Sequence, residues 1–245
     1  MPLDGKRIIV TGASRGIGRA IALACARGGA EVGVNFHRSE KQAQALRDEI
    51  GDRAMLLPFD VADAVAAAGG IAKFEAAKGG IDALVNNAGV NLPALLMSAT
   101  DDEIETMIRT NLLGTMYCTR AVIPVMLRQR GGVILNLSSV AATRPTRGQT
   151  IYAATKGGIE AFTRAVAVEY GRKGIRCHCI RPGAVDTDMF ANTKELAGPE
   201  VLAQIPLRRF AKADEIAQFA AFLLSDEASY VTGSVHTIDG GFATG

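Results

Sequence analysis

Apolar runs of strand length alternate with longer helical patterns along the whole chain. Residues 7–11 (RIIVT) precede a stretch from 16 to 28 in which apolar residues recur at helical spacing. Strands that are apolar throughout and are joined by helices are typical of parallel sheets covered on both faces. We therefore predict an α/β fold with a doubly wound parallel sheet of about seven strands. The further predicted strands are 31–36, 54–57, 81–85, 133–138, 175–180 and 235–238, and the further predicted helices are 40–50, 63–78, 101–130, 151–173 and 213–225.

The length and the lack of linkers predict a single domain over residues 1–245. A chain of 245 residues can bury a sizeable core, and no Pro/Ser-rich tract or fixed-period repeat divides it. The least regular segment runs from 183 to about 206 and has Gly and Pro at both ends. Long irregular segments in compact domains are usually functional lids or disordered, so we predict a loop there.

Charge and cysteine content limit the kinds of partner. Lys plus Arg number 27 against 25 for Asp plus Glu, a balance that gives no reason to expect nucleic acid. The four cysteines are scattered without metal-ligand spacing, so we expect no metal site and reduced core thiols. The N-terminus lacks a basic-then-apolar leader, and no apolar stretch approaches membrane-spanning length. A cytoplasmic protein with no membrane partner is expected.

A glycine-rich turn, TGASRGIG (11–18), lies between the first predicted strand and the first helix. Residues without a Cβ let a pyrophosphate approach the backbone, and the helix N-terminus offers free N–H groups and a positive dipole end. Glycine also serves ordinary tight turns, but this position in an α/β chain favours dinucleotide binding. The predicted cofactor contacts in the turn are Gly12, Ser14, Arg15, Gly16, Ile17 and Gly18.

The end of the second strand bears on the choice of dinucleotide. NAD-preferring proteins place a carboxylate there to bind the ribose 2′-hydroxyl, whereas this chain has NFHRS (35–39). Arg38 and Arg15 suit the additional phosphate of NADP. The alternative is that both arginines are solvated surface charges. We expect NADPH/NADP as the cofactor.

Three polar side chains follow the fifth predicted strand. Ser139 lies at its carboxyl end, and Tyr152 and Lys156 are four positions apart, which is about one helical turn. A phenol has a pKa of about 10, and we expect the neighbouring cation to lower it. Tyr152 can then donate a proton to a carbonyl oxygen that Ser139 polarises while hydride arrives from the nicotinamide.

These motifs together resemble the short-chain dehydrogenase/reductases, which have a Rossmann fold. The resemblance covers essentially the whole chain and rests on TGASRGIG, NNAG (86–89), Asn111, Ser139, YAATK (152–156) and RPG (181–183). It implies that Asn111 holds a helix kink and a water that passes protons to Lys156. It also implies a cofactor-binding part at about 1–135 and a catalytic and substrate part at about 136–245. Further cofactor contacts implied in this way are Asp60, Val61, Asn87, Ala88, Gly89, Pro182, Gly183, Val185 and Thr187, together with Tyr152 and Lys156.

Within the family the resemblance is greatest to the reductases of 3-oxoacyl groups on acyl carrier protein, for example in IPLRRF (205–210) and YVTGSVHTIDGGF (230–242). The chain departs from that subgroup at Ala142, Arg144 and Arg147. By the same resemblance Arg130 and Lys173 dock the acidic carrier, with Arg128, Arg172, Arg144 and Arg147 adding to one positive surface. Solvated charge at helix ends is the alternative.

Other interpretations remain open at this level. The same residues serve oxidation of a sugar or steroid alcohol, and a cofactor-sensing protein without catalysis would keep the glycine turn. Small and apolar residues in the predicted helices 101–130 and 151–173 suit close helix packing between copies, and the resemblance implies a homotetramer.

Overall fold

The computed structural model describes residues 3–244, apart from the side chains of 192–194, 196 and 197. Seven parallel strands form one sheet in the order β3-β2-β1-β4-β5-β6-β7. The chain first adds strands on one side of β1 and then on the other, so the sheet is doubly wound as predicted. The strands are β1 (Arg7–Val10), β2 (Glu31–Phe36), β3 (Ala54–Pro58), β4 (Ala83–Asn86), β5 (Gly132–Leu137), β6 (Ile175–Pro182) and β7 (Val235–Ile238).

Helices cover both faces of the sheet. On one face Ile21, Leu46 and Ile216 pack in a buried cluster, and on the other Ile71 and Val122 do so. The apolar strands are thereby buried on two sides, as their composition requires. The helices are α1 (Gly16–Arg27), α2 (Glu40–Ile50), α3 (Ala64–Lys78), α4 (Asp101–Met107), α5 (Gly114–Gln129), α6 (Thr150–Tyr170), α7 (Ala191–Gln204) and α8 (Ala213–Leu224).

The predicted helix over 101–130 is two helices joined by a π-helical segment. Thr100 and Glu103 form a capping box that begins α4, and the segment Ile108–Leu113 joins α4 to α5. A π turn inserts an additional residue into the helix and often occurs at functional sites. Asn111, buried in this turn, is the residue that the family resemblance had selected.

The prediction of a loop over 183–206 was wrong for much of its length. A short 3₁₀ turn (Asp188–Phe190) leads into α7, which contains Pro199. The Gly and Pro residues at the two ends of the segment lie outside α7, and a proline within a helix removes one main-chain hydrogen bond and leaves the rest of the helix possible. The segment lies beside the site described below.

Within residues 3–244 the cysteines lie in the core, as the sequence predicts. Cys25, Cys118, Cys177 and Cys179 are free and buried. No cluster of His, Cys, Asp or Glu in this part of the chain has the makings of a metal site. Among the helices described, none is both long and apolar enough to cross a bilayer.

Candidate active site

Two adjoining cavities lie at the carboxyl edge of the sheet. One is a cleft lined by the glycine turn, by residues 87–89 after β4 and by Tyr152 and Lys156. The other, of about 180 Å³, continues past Ser139 and Tyr152 and is bounded by Met189 and Phe190. Ligands of open α/β sheets bind at this edge, where the winding reverses. Tyr152 lines both cavities and so lies where their occupants would meet.

The glycine turn is held against β4 by main-chain and amide contacts. The Asn87 side chain donates to the carbonyls of Thr11 (2.9 Å) and Gly12 (3.1 Å). Thr11 Oγ1 accepts from the N–H groups of Asn87 and Ala88. Gly12 has a φ of 60°, and a Cβ there would lie 2.8 Å from Ala88 Cα. Only glycine fits this contact, so NNAG fixes the turn as well as lining the cleft.

Asn35 is a supporting residue to which the sequence analysis gave no role. Its Oδ1 accepts from Gly12 N (3.1 Å), and its Nδ2 donates to the carbonyls of Leu57 and Phe59 (3.0 Å each). It is 2% exposed and links β2, the segment at the end of β3 and the turn. A buried polar residue must find partners, so an asparagine within the apolar strand EVGVNF was the available signal.

The cleft fits a dinucleotide phosphate group. No side chain caps α1, and its first turn carries no acidic residue, so its N–H groups are left to bind an anion. Arg15 and Arg38 are exposed and have no ion-pair partner among the described side chains. Asp60, the first acidic residue after β3, has its carboxylate 3.5 Å from Nδ1 of His37. Two cations without an ion-pair partner are therefore available to an anionic ligand, Arg15 in the lining of the cleft and Arg38 after β2.

The predicted cofactor residues divide into two groups. Most of them line one of the two cavities. The others lie outside the lining of both cavities. Gly18 packs on Asn87 and Gly12, and Val61 is buried against Gly114. Lining residues are Gly12, Arg15, Gly16, Ile17, Asn87, Ala88, Gly89, Tyr152, Lys156, Pro182, Gly183, Val185 and Thr187, and those outside are Ser14, Gly18, Arg38, Asp60 and Val61.

Ser139, Tyr152 and Lys156 converge at the meeting point of the cavities. The Ser139 and Tyr152 side chains both line the larger cavity, and Ser139 lies close enough to the phenol to affect its pKa. Lys156 Nζ lies 5.5 Å from the centre of the Tyr152 ring and donates to the carbonyl of Leu137 (2.8 Å). Helix α6 supplies both residues from one face, because they are one turn apart. The two hydroxyls can therefore bond one substrate oxygen.

The pKa values differ from the sequence prediction in one respect. Burial raises the pKa of the Tyr152 phenol, with the Ser139 hydrogen bond opposing that rise. Burial also lowers the pKa of Lys156 to about 8. The expectation that the phenol's pKa lies below its usual value was wrong for the protein alone, because removing water from the phenolate outweighs the effects that favour it. At neutral pH the phenol carries its proton and most Lys156 side chains are ammonium.

Asn111 connects the π turn to the loop after β4. Its Oδ1 accepts from Val90 N (2.8 Å), and its Nδ2 donates to Val90 O (2.9 Å) and Thr155 Oγ1 (3.2 Å). Thr155 in turn donates to the carbonyl of Tyr152 (2.7 Å). A Cβ on Gly89 would lie 3.2 Å from Asn111 Oδ1 and 3.7 Å from Lys156 Nζ. The side chain thus faces the lysine across a glycine.

A buried ion pair beneath the site was missed from the sequence. Glu160, one turn after Lys156, accepts from Arg181 at 2.7 and 2.6 Å and from Ser138 Oγ at 2.8 Å. Ser138 Oγ also bonds the carbonyl of Lys156 (3.2 Å). These contacts fix α6 against the ends of β5 and β6 next to Ser139. Glu160 and Arg181 are far apart in the sequence, so no local pattern pairs them.

The predicted docking cations do not form one surface. Arg130 follows α5 and Lys173 precedes β6, so with Arg128 and Arg172 they lie at the amino edge of the sheet. Arg144 lines the larger cavity at the carboxyl edge. The six residues of β5 separate the two edges by about 20 Å. The expectation that Arg144 and Arg147 extend the Arg130 and Lys173 surface was therefore wrong.

The fold, the glycine turn and the Ser139, Tyr152 and Lys156 group define a class of nucleotide-dependent oxidoreductase. A family model described as enoyl-(acyl carrier protein) reductase matches residues 12–243. The chain belongs to the short-chain dehydrogenase/reductase family.

Relatives named as 3-oxoacyl-[acyl-carrier-protein] reductases match over almost the full length. The chain is 41% identical to the 3-oxoacyl-[acyl-carrier-protein] reductase FabG of Chlamydia muridarum over 244 residues, with 98% of each chain covered. It is 40% identical to the protein of the same name from Escherichia coli K12 over 241 residues, again with 98% of each covered. A short-chain dehydrogenase from Burkholderia cenocepacia, crystallised in complex with NADP, superposes with a TM-score of 0.91 at 34% identity over the whole of both chains.

Proposed function

We propose that this protein reduces a 3-oxoacyl thioester, carried by acyl carrier protein or CoA, to the 3-hydroxyacyl thioester with NADPH. The observation that carries the proposal is the convergence of the Ser139 and Tyr152 hydroxyls where the two cavities join. The relatives named as 3-oxoacyl-[acyl-carrier-protein] reductases support the choice of substrate.

NADPH is the cofactor that the cleft favours. Free N–H groups of α1 suit its pyrophosphate, and Arg15 and Arg38 suit its 2′-phosphate in the absence of a carboxylate at the end of β2. The Burkholderia relative holds NADP. When bound, the reduced nicotinamide supplies the hydride that the ketone carbon accepts.

The residues of the chain then manage the substrate oxygen and its proton. Ser139 donates a hydrogen bond to the ketone oxygen, which gains negative charge as the carbon is reduced. Tyr152 transfers its phenolic proton to that oxygen, which yields the alcohol and leaves a phenolate. The Lys156 ammonium, 5.5 Å from the ring centre, stabilises the phenolate until a proton returns from solvent. Asn111 hydrogen-bonds Val90 in the loop after β4 and Thr155 in α6, and so holds these two segments together beside Lys156.

The raised phenol pKa suits reduction more than oxidation. A ketone reductase needs the phenol protonated at the start of each turnover, and burial keeps it so at neutral pH. Alcohol oxidation needs the phenolate first and is expected to accelerate as the pH rises. The choice of a ketone over a sugar or steroid alcohol is supported by the relatives named as 3-oxoacyl-[acyl-carrier-protein] reductases.

Ketone reduction also fits the site better than enoyl reduction, the activity in the family model's description. Reduction of a carbon–carbon double bond requires a proton at carbon. Here the Ser139 and Tyr152 hydroxyls lie close together at one cavity, where both can hydrogen-bond one substrate oxygen. A crotonyl thioester therefore serves as the matched negative control for an acetoacetyl thioester.

The test is NADPH consumption with acetoacetyl-CoA, acetoacetyl-N-acetylcysteamine and crotonyl-CoA, repeated with NADH. The proposal expects turnover of both acetoacetyl thioesters, preference for NADPH and none with crotonyl-CoA. Turnover of crotonyl-CoA alone, or of neither class, would contradict it.

Carrier docking by Arg130 and Lys173 is a further part of the proposal, and charge supports it. Both residues are exposed and lie next to each other, since Gly174 contacts the Arg130 carbonyl. Their place at the amino edge means that a carrier bound there must reach around the sheet or serve the site of a neighbouring copy. Reversal of both charges should raise the KM for a carrier-borne substrate and leave that for acetoacetyl-N-acetylcysteamine unchanged. An unchanged KM for both would exclude this docking surface.

Assembly and location complete the proposal. Exposed apolar side chains on or next to α5 and α6, among them Ile108, Leu127 and Val168, suit helix packing in a homotetramer. Light scattering of the purified protein measures its molar mass and so tests whether it is a tetramer. The four free, buried thiols fit the reducing cytoplasm.

A further inference from the structure

Arg144 places a cation in the wall of the larger cavity. Apolar residues form most of that wall, among them Val140, Val185, Met189 and Phe190. The guanidinium lies 4.5 Å from the centre of the Phe242 ring, and its Nη1 donates to the Phe242 carbonyl. The side chain is thus anchored at the cavity and is half-buried there.

The anchor leaves much of the guanidinium without a partner. None of the described carboxylates lies within ion-pair distance of Arg144. The carbonyl of Phe242 accepts from one nitrogen, and an arginine side chain has further N–H donors on its remaining nitrogens. A half-buried cation without an anion at a mainly apolar cavity favours an acceptor oxygen from a ligand.

The main chain sets Arg144 close to the reacting group. Ala142 N donates to Ser139 O (2.9 Å) and Arg144 N donates to Val140 O (2.8 Å), so the chain after Ser139 folds back over about one turn. Arg144 and Ser139 also both line the larger cavity, so they share one wall of it. An acceptor bound by Arg144 would therefore share this one cavity, of about 180 Å³, with a ketone bound by Ser139 and Tyr152.

We infer that Arg144 binds a second oxygen of the substrate, on the carbon two bonds from the ketone carbon. In a 3-oxoacyl thioester that oxygen is the thioester carbonyl, and in a 3-oxo acid it is the carboxylate. The inference rests on the proposed function, and it makes Arg144 the residue that distinguishes a 1,3-dicarbonyl compound from an isolated ketone. Arg147, exposed on the same loop and outside the cavity lining, has no such role.

The test compares Arg144→Met with Arg147→Met, which removes the same charge from the same loop. The substrates are acetoacetyl-N-acetylcysteamine, acetoacetate and 2-pentanone, each assayed with NADPH. For Arg144→Met the ratio of kcat/KM for each dicarbonyl compound to that for 2-pentanone should fall by about 10- to 100-fold, the range for a hydrogen bond to a charged group. Arg147→Met should leave both ratios as they are in the wild type. Arg144→Lys, which keeps a donor and the charge, should recover part of the loss.

The outcomes distinguish a carboxylate oxygen from a thioester carbonyl oxygen. They also distinguish failure of the role inferred for Arg144 from failure of the proposed function. A fall confined to acetoacetate identifies the carboxylate, and an equal fall for the thioester identifies a carbonyl; both support the inference. Unchanged ratios, or equal losses for all three substrates with a lower thermal midpoint, would mean that Arg144 merely supports Phe242. If the wild type reduces acetoacetate and 2-pentanone but not the thioester, the proposed function fails, and the acetoacetate ratio still decides the role of Arg144.

Discussion

Replacing Lys156 by methionine should stabilise the fold while removing activity. Burial lowers the pKa of this lysine from 10.5 to about 8. The ammonium form is therefore less stable in the folded protein than in the unfolded chain. At about 1.4 kcal/mol per pKa unit, the charged side chain costs the folded state about 3 kcal/mol at pH 7. Methionine removes that cost but leaves the Leu137 carbonyl without its donor, a loss of about 1–2 kcal/mol. The net gain is about 1–2 kcal/mol, or roughly 2–8 °C in Tm.

The stability difference between Lys156→Met and the wild type should depend on pH. Because the folded pKa is depressed, the unfolded chain binds more protons between pH 8 and 10.5, and wild-type stability gains from Lys156 as the pH rises through that window. The advantage of Lys156→Met should therefore shrink between pH 7 and pH 10. Lys156 also lowers the pKa of the Cys179 thiol, but burial holds that pKa at about 12, so the thiol stays protonated at pH 10 in both proteins and the cysteines contribute little to the difference.

Urea unfolding at fixed protein concentration, at pH 7 and pH 10, measures the two differences. Lys41→Met, which replaces an exposed lysine in α2, is the control and should change stability little at either pH. The reasoning is refuted if Lys156→Met is less stable than the wild type at pH 7. It is also refuted if the stability difference is the same at both pH values.

Two further predictions concern acid stability and cofactor choice. Burial, with Arg176 and His236 nearby, lowers the pKa of His178 to about 3, so stability should fall below pH 6.5 by up to about 1.4 kcal/mol per pH unit. His178→Gln should flatten this fall between pH 6.5 and 4.5 in urea unfolding, and an unchanged slope there would show that other groups cause it. Arg38→Asp should raise the KM for NADPH about tenfold or more, the effect of losing a charge-assisted phosphate contact, and lower the ratio of NADPH to NADH efficiency. An unchanged ratio would place the 2′-phosphate elsewhere.

The sequence predicted the sheet and the convergence of the reactive side chains because both depend on short-range patterns. Apolar strands alternating with helices determine a doubly wound sheet. A four-residue spacing on a helix places Tyr152 and Lys156 on one face whatever the rest of the chain does. The position of Ser139 after β5 follows from the strand order alone.

Features that depend on burial or on distant contacts could not be predicted in this way. The Glu160–Arg181 pair and the Asn35 bonds to Gly12 join segments that are far apart in the sequence. The phenol's pKa rises because of desolvation, which no motif reports. Arg130 and Arg144 are only fourteen positions apart, yet β5 runs between them and carries them to opposite edges of the sheet.

The central claim is that the Tyr152 phenol supplies the proton to the ketone oxygen, and Tyr152→Phe tests it most directly. The measurement is kcat for acetoacetyl-N-acetylcysteamine reduction at saturating NADPH, with the Tm of the variant as the control for folding. The account predicts a fall of about 10²- to 10⁴-fold with little change in Tm, since one hydroxyl is removed and the ring remains. A folded variant that keeps kcat within a few-fold of the wild type would contradict the account.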